Sequence, residues 1–176
     1  MILRSVPKIT FFICRLRSDH KGFAGWYSWY RIKEAMEMSN RMKVEELKKL
    51  VTEVHFSSIC YIGGIDEVDI KKENGRITVR AESMRGHIDE KYSMSQEEWD
   101  VFIDKLYDEL HINKWKRSYK PDEWVIMDGC TWEFQISVEG GRKRIYRGDN
   151  EYPENWDEFE SLMRQFGILK ENNWDE

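Results

Sequence analysis

The sequence predicts an α+β fold, in which duplicated βββα units form an antiparallel sheet covered by helices, with an N-terminal helix before them. Residues 68–106 align without a gap onto residues 125–163 at a constant offset of 57 positions. The alternating pattern of strands and the apolar pattern of helices both stay in register across this offset. Glycine-containing turns recur in both segments. Such a repeat indicates one supersecondary unit used twice, at about residues 66–110 and 123–167.

The first predicted element is an amphipathic helix from Met42 to Val54, where apolar residues recur at helical spacing among Glu and Lys. The following segment, residues 57–65, ends in Gly63-Gly64, a pair that interrupts regular structure and predicts a connection into the first unit. The helix and the two units together form one predicted domain, residues 38–176.

Three strands are predicted in the first unit, at residues 66–72, 76–82 and 87–92. Asn74-Gly75 lies between the first two, and Asn-Gly between alternating segments favours a tight hairpin. Ser95 and Glu98 then form a capping box, in which each side chain pairs with a backbone amide at the helix start. The helix that follows is predicted to bury Trp99, Phe102, Ile103, Leu106 and Leu110.

The second unit repeats this order, with strands predicted at residues 123–127, 131–138 and 142–147. Asp128-Gly129 and Glu139-Gly140-Gly141 mark its turns. Pro153 suits the first turn of the second helix, because its missing N–H would be unpaired there anyway. The predicted buried stripe of this helix is Trp156, Phe159, Met163 and Phe166. Residues 111–120 connect the two units.

The first 37 residues have no counterpart in the repeat, and two interpretations are open. Ile9–Leu16 can form an ordinary strand in a peripheral extension. Alternatively, these residues are not part of the native chain and translation starts at Met38, since Lys33-Glu34-Ala35 can be encoded by a purine-rich ribosome-binding sequence.

Composition limits the class of protein. Aromatic residues make up 14% and charged residues 35% of the 176 residues, as in a folded protein with a well-solvated surface. The net charge is −5. The longest apolar stretch, Ile9–Cys14, is too short to span a membrane, so no membrane association is predicted.

Three cysteines, Cys14, Cys60 and Cys130, are odd in number and far apart. This pattern argues against a disulfide framework and predicts reduced, buried thiols in a cytoplasmic protein. Whether Cys130 is reactive stays open: an unrecognised Cys/His enzyme would require it to be exposed beside His87 or His111. Asp128 is the other candidate for catalysis, and none of these residues has the spacing of a known motif. The sequence therefore predicts no catalytic residue, no metal site and no cofactor.

Two sets of residues are candidates for binding. The first mixes cations with aromatic rings, a combination that binds single-stranded nucleic acid; it comprises Lys114, Trp115, Lys116, Arg117, Tyr119, Arg142, Arg144 and Arg147. The second could present negative charge to a basic groove of a partner; it comprises Asp149, Glu151, Glu154, Asp157 and Glu158. Each set is also explained by ordinary solvated surface, and Glu154 and Asp157 also suit a helix N-terminus.

A pattern of the form DGxxW, GxN and YPxNW occurs within residues 115–166. Its residues are Asp128-Gly129-Cys130-Thr131-Trp132, Gly148-Asp149-Asn150 and Tyr152-Pro153-Glu154-Asn155-Trp156. In this pattern the chain resembles a module of small uncharacterised bacterial and mobile-element proteins. The resemblance implies that the glycines and Asn150 serve turns and that Trp132 and Trp156 serve packing. In size, acidity and scarcity of motifs, the chain is also similar to phage-encoded anti-CRISPR inhibitors.

These features predict a non-enzymatic, cytoplasmic binding protein, carried by a phage or mobile element, that inhibits a host defence nucleoprotein by masking a partner surface. The alternative is a nucleic-acid-binding module that applies the basic and aromatic residues to DNA or RNA. The oligomeric state stays open, since the two units can pair within one chain or between two.

Overall fold

The computed structural model describes residues 24–61, 63–84, 87–121 and 129–168, with side chains from residue 32 onward. The chain divides into two compact units, residues 1–40 and 41–176, and helix α1 (Ala24–Leu50) contains the boundary. The strands are β1 (Val51–Cys60), β2 (Gly64–Glu73), β3 (Arg76–Ser83), β4 (Ile88–Met94), β5 (Ser118–Tyr119), β6 (Cys130–Val138) and β7 (Arg142–Asp149). The later helices are α2 (Gln96–Asp104), which a π-helical turn (Lys105–Glu109) extends, and α3 (Trp156–Arg164).

The seven strands form one sheet in the order β4-β3-β2-β1-β6-β7-β5. Neighbouring strands are antiparallel, except that β5 pairs with β7 in parallel. The predicted α+β class and the helix before the sheet are therefore confirmed for the described residues. Among these residues, we find no helix with the length and apolar character needed to cross a bilayer.

Alternate residues of the central strands are buried on one face of the sheet, as expected for an antiparallel sheet with one solvated face. Phe56 of β1, Phe134 of β6 and Phe159 of α3 are completely buried. The ring centroid of Phe159 lies 5.2 Å from that of Phe56 and 5.0 Å from that of Phe134. Burying one such side chain contributes roughly 1.5–3 kcal/mol, so this contact between sheet and helix is a main source of stability.

Strand β1 occupies residues that the sequence pattern predicts as a helix and a connection, and this prediction is wrong. Helix α1 ends at Leu50, while Val51 and Val54 are buried in β1. The pairing of β1 with β6 shifts between Val51 and Glu53, which is a β-bulge at Thr52. Because of the extra residue, the first two buried positions of the strand, Val51 and Val54, are three apart, which imitates helical spacing.

The strands, the turn and the helix predicted within residues 66–110 are confirmed. β2 and β3 form a hairpin whose turn residues Asn74 and Gly75 have φ angles of 51° and 76°, as a type I′ turn requires. The Ser95 hydroxyl accepts from the Glu98 amide at 3.1 Å, and the Ser95 amide donates to the Glu98 carboxylate at 2.8 Å. The predicted stripe from Trp99 to Leu110 is buried.

In the second unit, β6 and β7 match the predicted strands, and the predicted stripe of α3 is buried. Pro153 does not lie in the first turn of α3, because the helix begins at Trp156. It instead belongs to the preceding turn, where its carbonyl accepts from the Trp156 amide at 3.2 Å. The predicted strand at 123–127, the Asp128 turn position and the predicted strand at Ile9–Leu16 lie outside the described residues.

Lys48 connects the end of α1 to α2 and its extension. Its side chain is only 8% exposed, and Nζ lies 2.9 Å from Glu45, 3.0 Å from Asp104 and 2.5 Å from Asp108. Burial lowers the pKa of Lys48, but hydrogen bonds to Asp108, Glu45 and Asp104 outweigh burial and raise that pKa above its ordinary value. The buried ammonium is therefore well compensated.

Candidate functional site

The outward face of the sheet, opposite α2 and α3, carries mainly polar side chains. Within the described strands, six cations lie on this face: Lys71, Arg76, Arg80, Lys91, Lys143 and Arg147. The same strands place eight carboxylates there: Glu53, Glu67, Asp69, Glu73, Glu82, Asp89, Glu133 and Asp149. The strands present no Phe, Tyr or Trp on this face among the described residues. A mixed-charge face without rings lacks the stacking platform of single-strand binders.

His55, Glu67 and Asp69 meet at the centre of this face. Strand register places His55 of β1 opposite Asp69 of β2, and Glu67 lies two residues before Asp69 on the same face. His55 Nδ1 lies 2.9 Å from Asp69 Oδ1 and 3.8 Å from Glu67 Oε1. Hydrogen bonding to Asp69 raises the pKa of His55 despite its partial burial, and the same bond lowers the pKa of Asp69.

An open cleft of about 620 Å³ lies beside this group and shares Asp69 with it. Its other lining residues are Lys71, Glu73, Asn74, Arg76, Thr78, Arg80 and Lys91. Two of its cations have carboxylate partners, since Lys71 lies 3.1 Å from Glu53 and Arg80 lies 2.9 Å from Glu82. The cleft is therefore only partly cationic.

The predicted acidic set lies together between β7 and the first turn of α3. Glu151, Glu154, Asp157 and Glu158 are exposed, while Asp149 is half-buried and accepts from the Asn150 amide group at 3.2 Å. No Lys or Arg occurs between residues 149 and 158. None of the ion pairs among the described residues uses any of these five carboxylates. We call residues 149–158 the acidic segment.

Backbone and ring contacts hold the acidic segment in place. Asn150 has a φ angle of 52°. Its side-chain Oδ1 accepts from the Cys130 backbone amide at 2.7 Å, and its backbone amide donates to the Cys130 carbonyl at 3.0 Å. Trp132 Nε1 donates to the Glu151 carbonyl at 3.0 Å, and its ring centroid lies 4.6 Å from that of Trp156. Asn150 therefore holds the chain reversal after β7, and Trp132 and Trp156 pack in the core, while the resemblance itself stays a prediction.

The basic and aromatic set does not form one surface. The half-buried Trp115 ring contacts five other rings, those of Trp132, Phe134, Tyr146, Trp156 and Phe159. Its Nε1 donates to Asn155 at 3.1 Å, so this side chain serves packing. The Tyr119 hydroxyl accepts from the Lys116 amide at 3.0 Å.

The cations of this set are dispersed. Arg117 lies 5.4 Å above the Tyr146 ring and donates to the Ile145 carbonyl at 3.2 Å, and Arg147 pairs with Glu133 at 2.5 Å. Arg147 lies on the outward face, whereas Arg144 lies on the helix-covered face, because successive side chains of β7 point to opposite faces. Lys114, Lys116 and Arg142 are exposed. Nucleic-acid binding by these cations stays a prediction.

Cys60 and Cys130 form a disulfide, so the prediction of reduced thiols is wrong for this pair. The residues are 70 positions apart in sequence, but β1 and β6 place them directly opposite each other with Cα atoms 4.1 Å apart. The prediction failed because residues 57–65 were expected to be a connection rather than a strand. Cys14 lies outside the described residues.

The predicted catalytic candidates are not brought together. A disulfide sulfur is not a thiolate, so Cys130 is no nucleophile in this form. His111 Nδ1 lies 3.3 Å from the Tyr107 carbonyl, and His87 lies in the turn between β3 and β4. Asp128 lies outside the described residues.

Sequence reasoning missed the group of His55, Glu67 and Asp69. Within the described residues, this is the only group of three or more His, Cys, Asp or Glu side chains with ligand atoms close enough for one metal ion. The alternation of Glu67 and Asp69 in a predicted strand was the available signal. The strand that carries His55 was hidden by the helical spacing of Val51 and Val54.

No family model and no curated protein matches this chain. The function must therefore be inferred from which side chains are exposed, charged and held in place.

Proposed function

We propose that this chain is a non-enzymatic binding protein that masks a cationic surface of a partner with its acidic segment. The observation that carries the proposal is the conformation of this segment: four of its five carboxylates are exposed, but its backbone is held by Asn150 and Trp132. An ordered charged segment loses little conformational entropy on binding, which favours affinity. Complementary charge also speeds encounter with a basic partner.

The sharpest form of the proposal is a cytoplasmic inhibitor, carried by a phage or mobile element, of a host defence nucleoprotein. Proteins that bind nucleic acid present Lys and Arg to phosphates. The four exposed carboxylates within residues 151–158 can occupy such a groove in place of phosphates. The similarity to anti-CRISPR inhibitors in size, acidity and scarcity of motifs supports an inhibitor of this kind. An acidic protein of net charge −5 also suits a basic target.

The test compares two variants that each lose four negative charges. The test variant carries Glu151→Gln, Glu154→Gln, Asp157→Asn and Glu158→Gln, all at exposed positions. The control variant carries Asp89→Asn, Glu90→Gln, Glu97→Gln and Asp100→Asn, which are also exposed and include two positions in helix α2. Asp149 is retained because it accepts from Asn150.

Tagged wild-type chain is captured from host lysate with and without nuclease, and phage plaquing is measured on a host with active defence. We expect a nuclease-resistant protein partner and restored plaquing. We also expect at least about tenfold weaker binding for the test variant and little change for the control. Equal weakening by both variants, or no effect of either, would contradict the role of the acidic segment. Capture that disappears with nuclease, and falls with salt, would favour the nucleic-acid alternative.

We also propose that the domain consists of duplicated βββα units, in which β1 takes the place of the second unit's first strand. In support, the offset of 57 relates β3 to β6 and α2 to α3. In the first unit β2 lies beside β3, and in the second unit β1 lies in the same way beside β6, the counterpart of β3. Ile70 pairs with Val79, while Val54 pairs with Ile136, and Val54 and Ile70 pair with each other. This arrangement is compatible with a pseudo-twofold axis at that central pair.

The outer strands limit this equivalence. Val79 pairs with Tyr92, but Ile136 pairs with Arg144 rather than with Asp149, as the constant offset would require. If β1 and β2 are equivalent, Val54→Ala and Ile70→Ala should each lower the free energy of unfolding by about 2–4 kcal/mol. Urea unfolding measures both values, and a large cost at only one of the two positions would contradict the equivalence.

A further inference from the structure

We infer that the outward face of the sheet carries a site for a divalent transition-metal ion, formed by His55, Glu67 and Asp69. These residues lie on β1, the central strand of the sheet, and on its neighbour β2. The site is separate from the acidic segment, so the inference does not depend on the proposed function.

The spacing of the donor atoms fits one ion. His55 Nδ1 lies 2.9 Å from Asp69 Oδ1 and 3.8 Å from Glu67 Oε1, and the three donor atoms all lie within 4.8 Å of one another. Donors bound to a single ion at about 2.0–2.2 Å are roughly 3.0–3.6 Å apart in tetrahedral or octahedral geometry. The two contacts of His55 differ from this range by a few tenths of an ångström, and the separation of the Glu67 and Asp69 donors, within 4.8 Å, closes by rotation of these two partly exposed side chains.

The surroundings favour binding over simple solvation. The side chains of His55, Glu67 and Asp69 are 23%, 38% and 25% exposed, so each is partly dehydrated before an ion arrives. Their backbones belong to paired central strands, which fixes their relative positions. The solvent side stays open, and the neighbouring cleft reaches Asp69. Three protein donors with an open side leave further coordination positions for water or an exogenous ligand.

The donor set also selects the kind of metal. One imidazole nitrogen with two carboxylates suits Zn²⁺, Mn²⁺ or Fe²⁺, whereas Ca²⁺ and Mg²⁺ prefer oxygen donors alone. Two carboxylates balance the charge of a divalent ion. Without a metal ion, the same side chains form an ion pair between His55 and Asp69. The experiment must therefore distinguish metal binding from this ion pair.

The experiment titrates tag-free, full-length protein with Zn²⁺ by calorimetry and records the absorption of Co²⁺ as a spectroscopic substitute. We expect one ion per chain and a rise in Tm of about 5–10 °C at a Zn²⁺ excess of about 100-fold over Kd. The Co²⁺ spectrum should lack thiolate charge-transfer absorption, which excludes cysteine as the ligand. His55→Gln and Glu67→Gln should each weaken binding by at least about tenfold.

Two controls make the outcome decisive. Glu82→Gln removes a carboxylate directly opposite Glu67 on the same face, and His87→Asn removes an exposed histidine elsewhere. Both should bind Zn²⁺ like the wild type. Glu67→Gln leaves the contact between His55 and Asp69 intact, so its effect does not depend on loss of that ion pair. Absence of stoichiometric binding, or binding that survives both His55→Gln and Glu67→Gln, would overturn the inference.

Discussion

Replacing Gly148 with alanine is expected to lower the free energy of unfolding by about 3 kcal/mol or more. A Cβ atom at this position would overlap both Trp132 Nε1 and the Glu151 carbonyl oxygen, far inside van der Waals contact. Neither group can move easily, because the indole donates to that same carbonyl and packs against Trp156. The new methyl group must therefore displace the indole, the backbone or both.

Urea unfolding followed by tryptophan fluorescence measures this effect, with Gly140→Ala as the control. A Cβ atom on Gly140 would have no heavy atom within 4 Å, but the φ of +83° at this residue disfavours alanine by about 1 kcal/mol. The difference between the two variants therefore reports the steric term at Gly148. If Gly148→Ala costs no more than Gly140→Ala, the close approach of Trp132 to Gly148 is not a constraint.

The same substitution connects the fold to the proposed function. Trp132 holds the Glu151 carbonyl, so displacing the indole also releases the acidic segment. Partner binding should weaken in any Gly148→Ala protein that still folds, although every carboxylate is retained. That result would separate preorganisation of the segment from its charge alone.

Local signals account for the parts of the fold that the sequence predicted. The turn at Asn74-Gly75 depends on the backbone freedom of two adjacent residues, and the Ser95–Glu98 box depends on side chains three positions apart. The stripes on α2 and α3 follow from helical periodicity. Each of these features can be recognised because the interacting groups are close in sequence.

The errors arise where pairing is distant or irregular. A bulge at Thr52 gives Val51 and Val54 the spacing of a helix, so β1 was not expected. Without β1, neither the meeting of His55 with Asp69 nor the pairing of Cys60 with Cys130 could be predicted. The acidic residues were found from composition, but the contacts that order them come from Asn150 and Trp132 across a strand pair.

Reduction of the disulfide between Cys60 and Cys130 is expected to lower the free energy of unfolding by about 2–4 kcal/mol. The bond closes a loop with a sequence separation of 70, and longer loops restrict the unfolded chain more strongly. It also joins β1 to β6 at the end of their ladder, where it opposes fraying between the halves of the sheet. The measurement is urea unfolding with and without dithiothreitol, with thiols counted by mass spectrometry after alkylation.

The double variant Cys60→Ser/Cys130→Ser is the matched control. It should be as destabilised as the reduced wild type and should not respond to dithiothreitol, because Cys14 alone cannot form an intramolecular bond. Three alkylated thiols in protein purified without reductant would show that the bond does not form. In a reducing cytoplasm the pair is expected to be open. A cytoplasmic inhibitor would then function with the lower free energy of unfolding of the reduced chain. Urea unfolding in dithiothreitol measures this free energy directly.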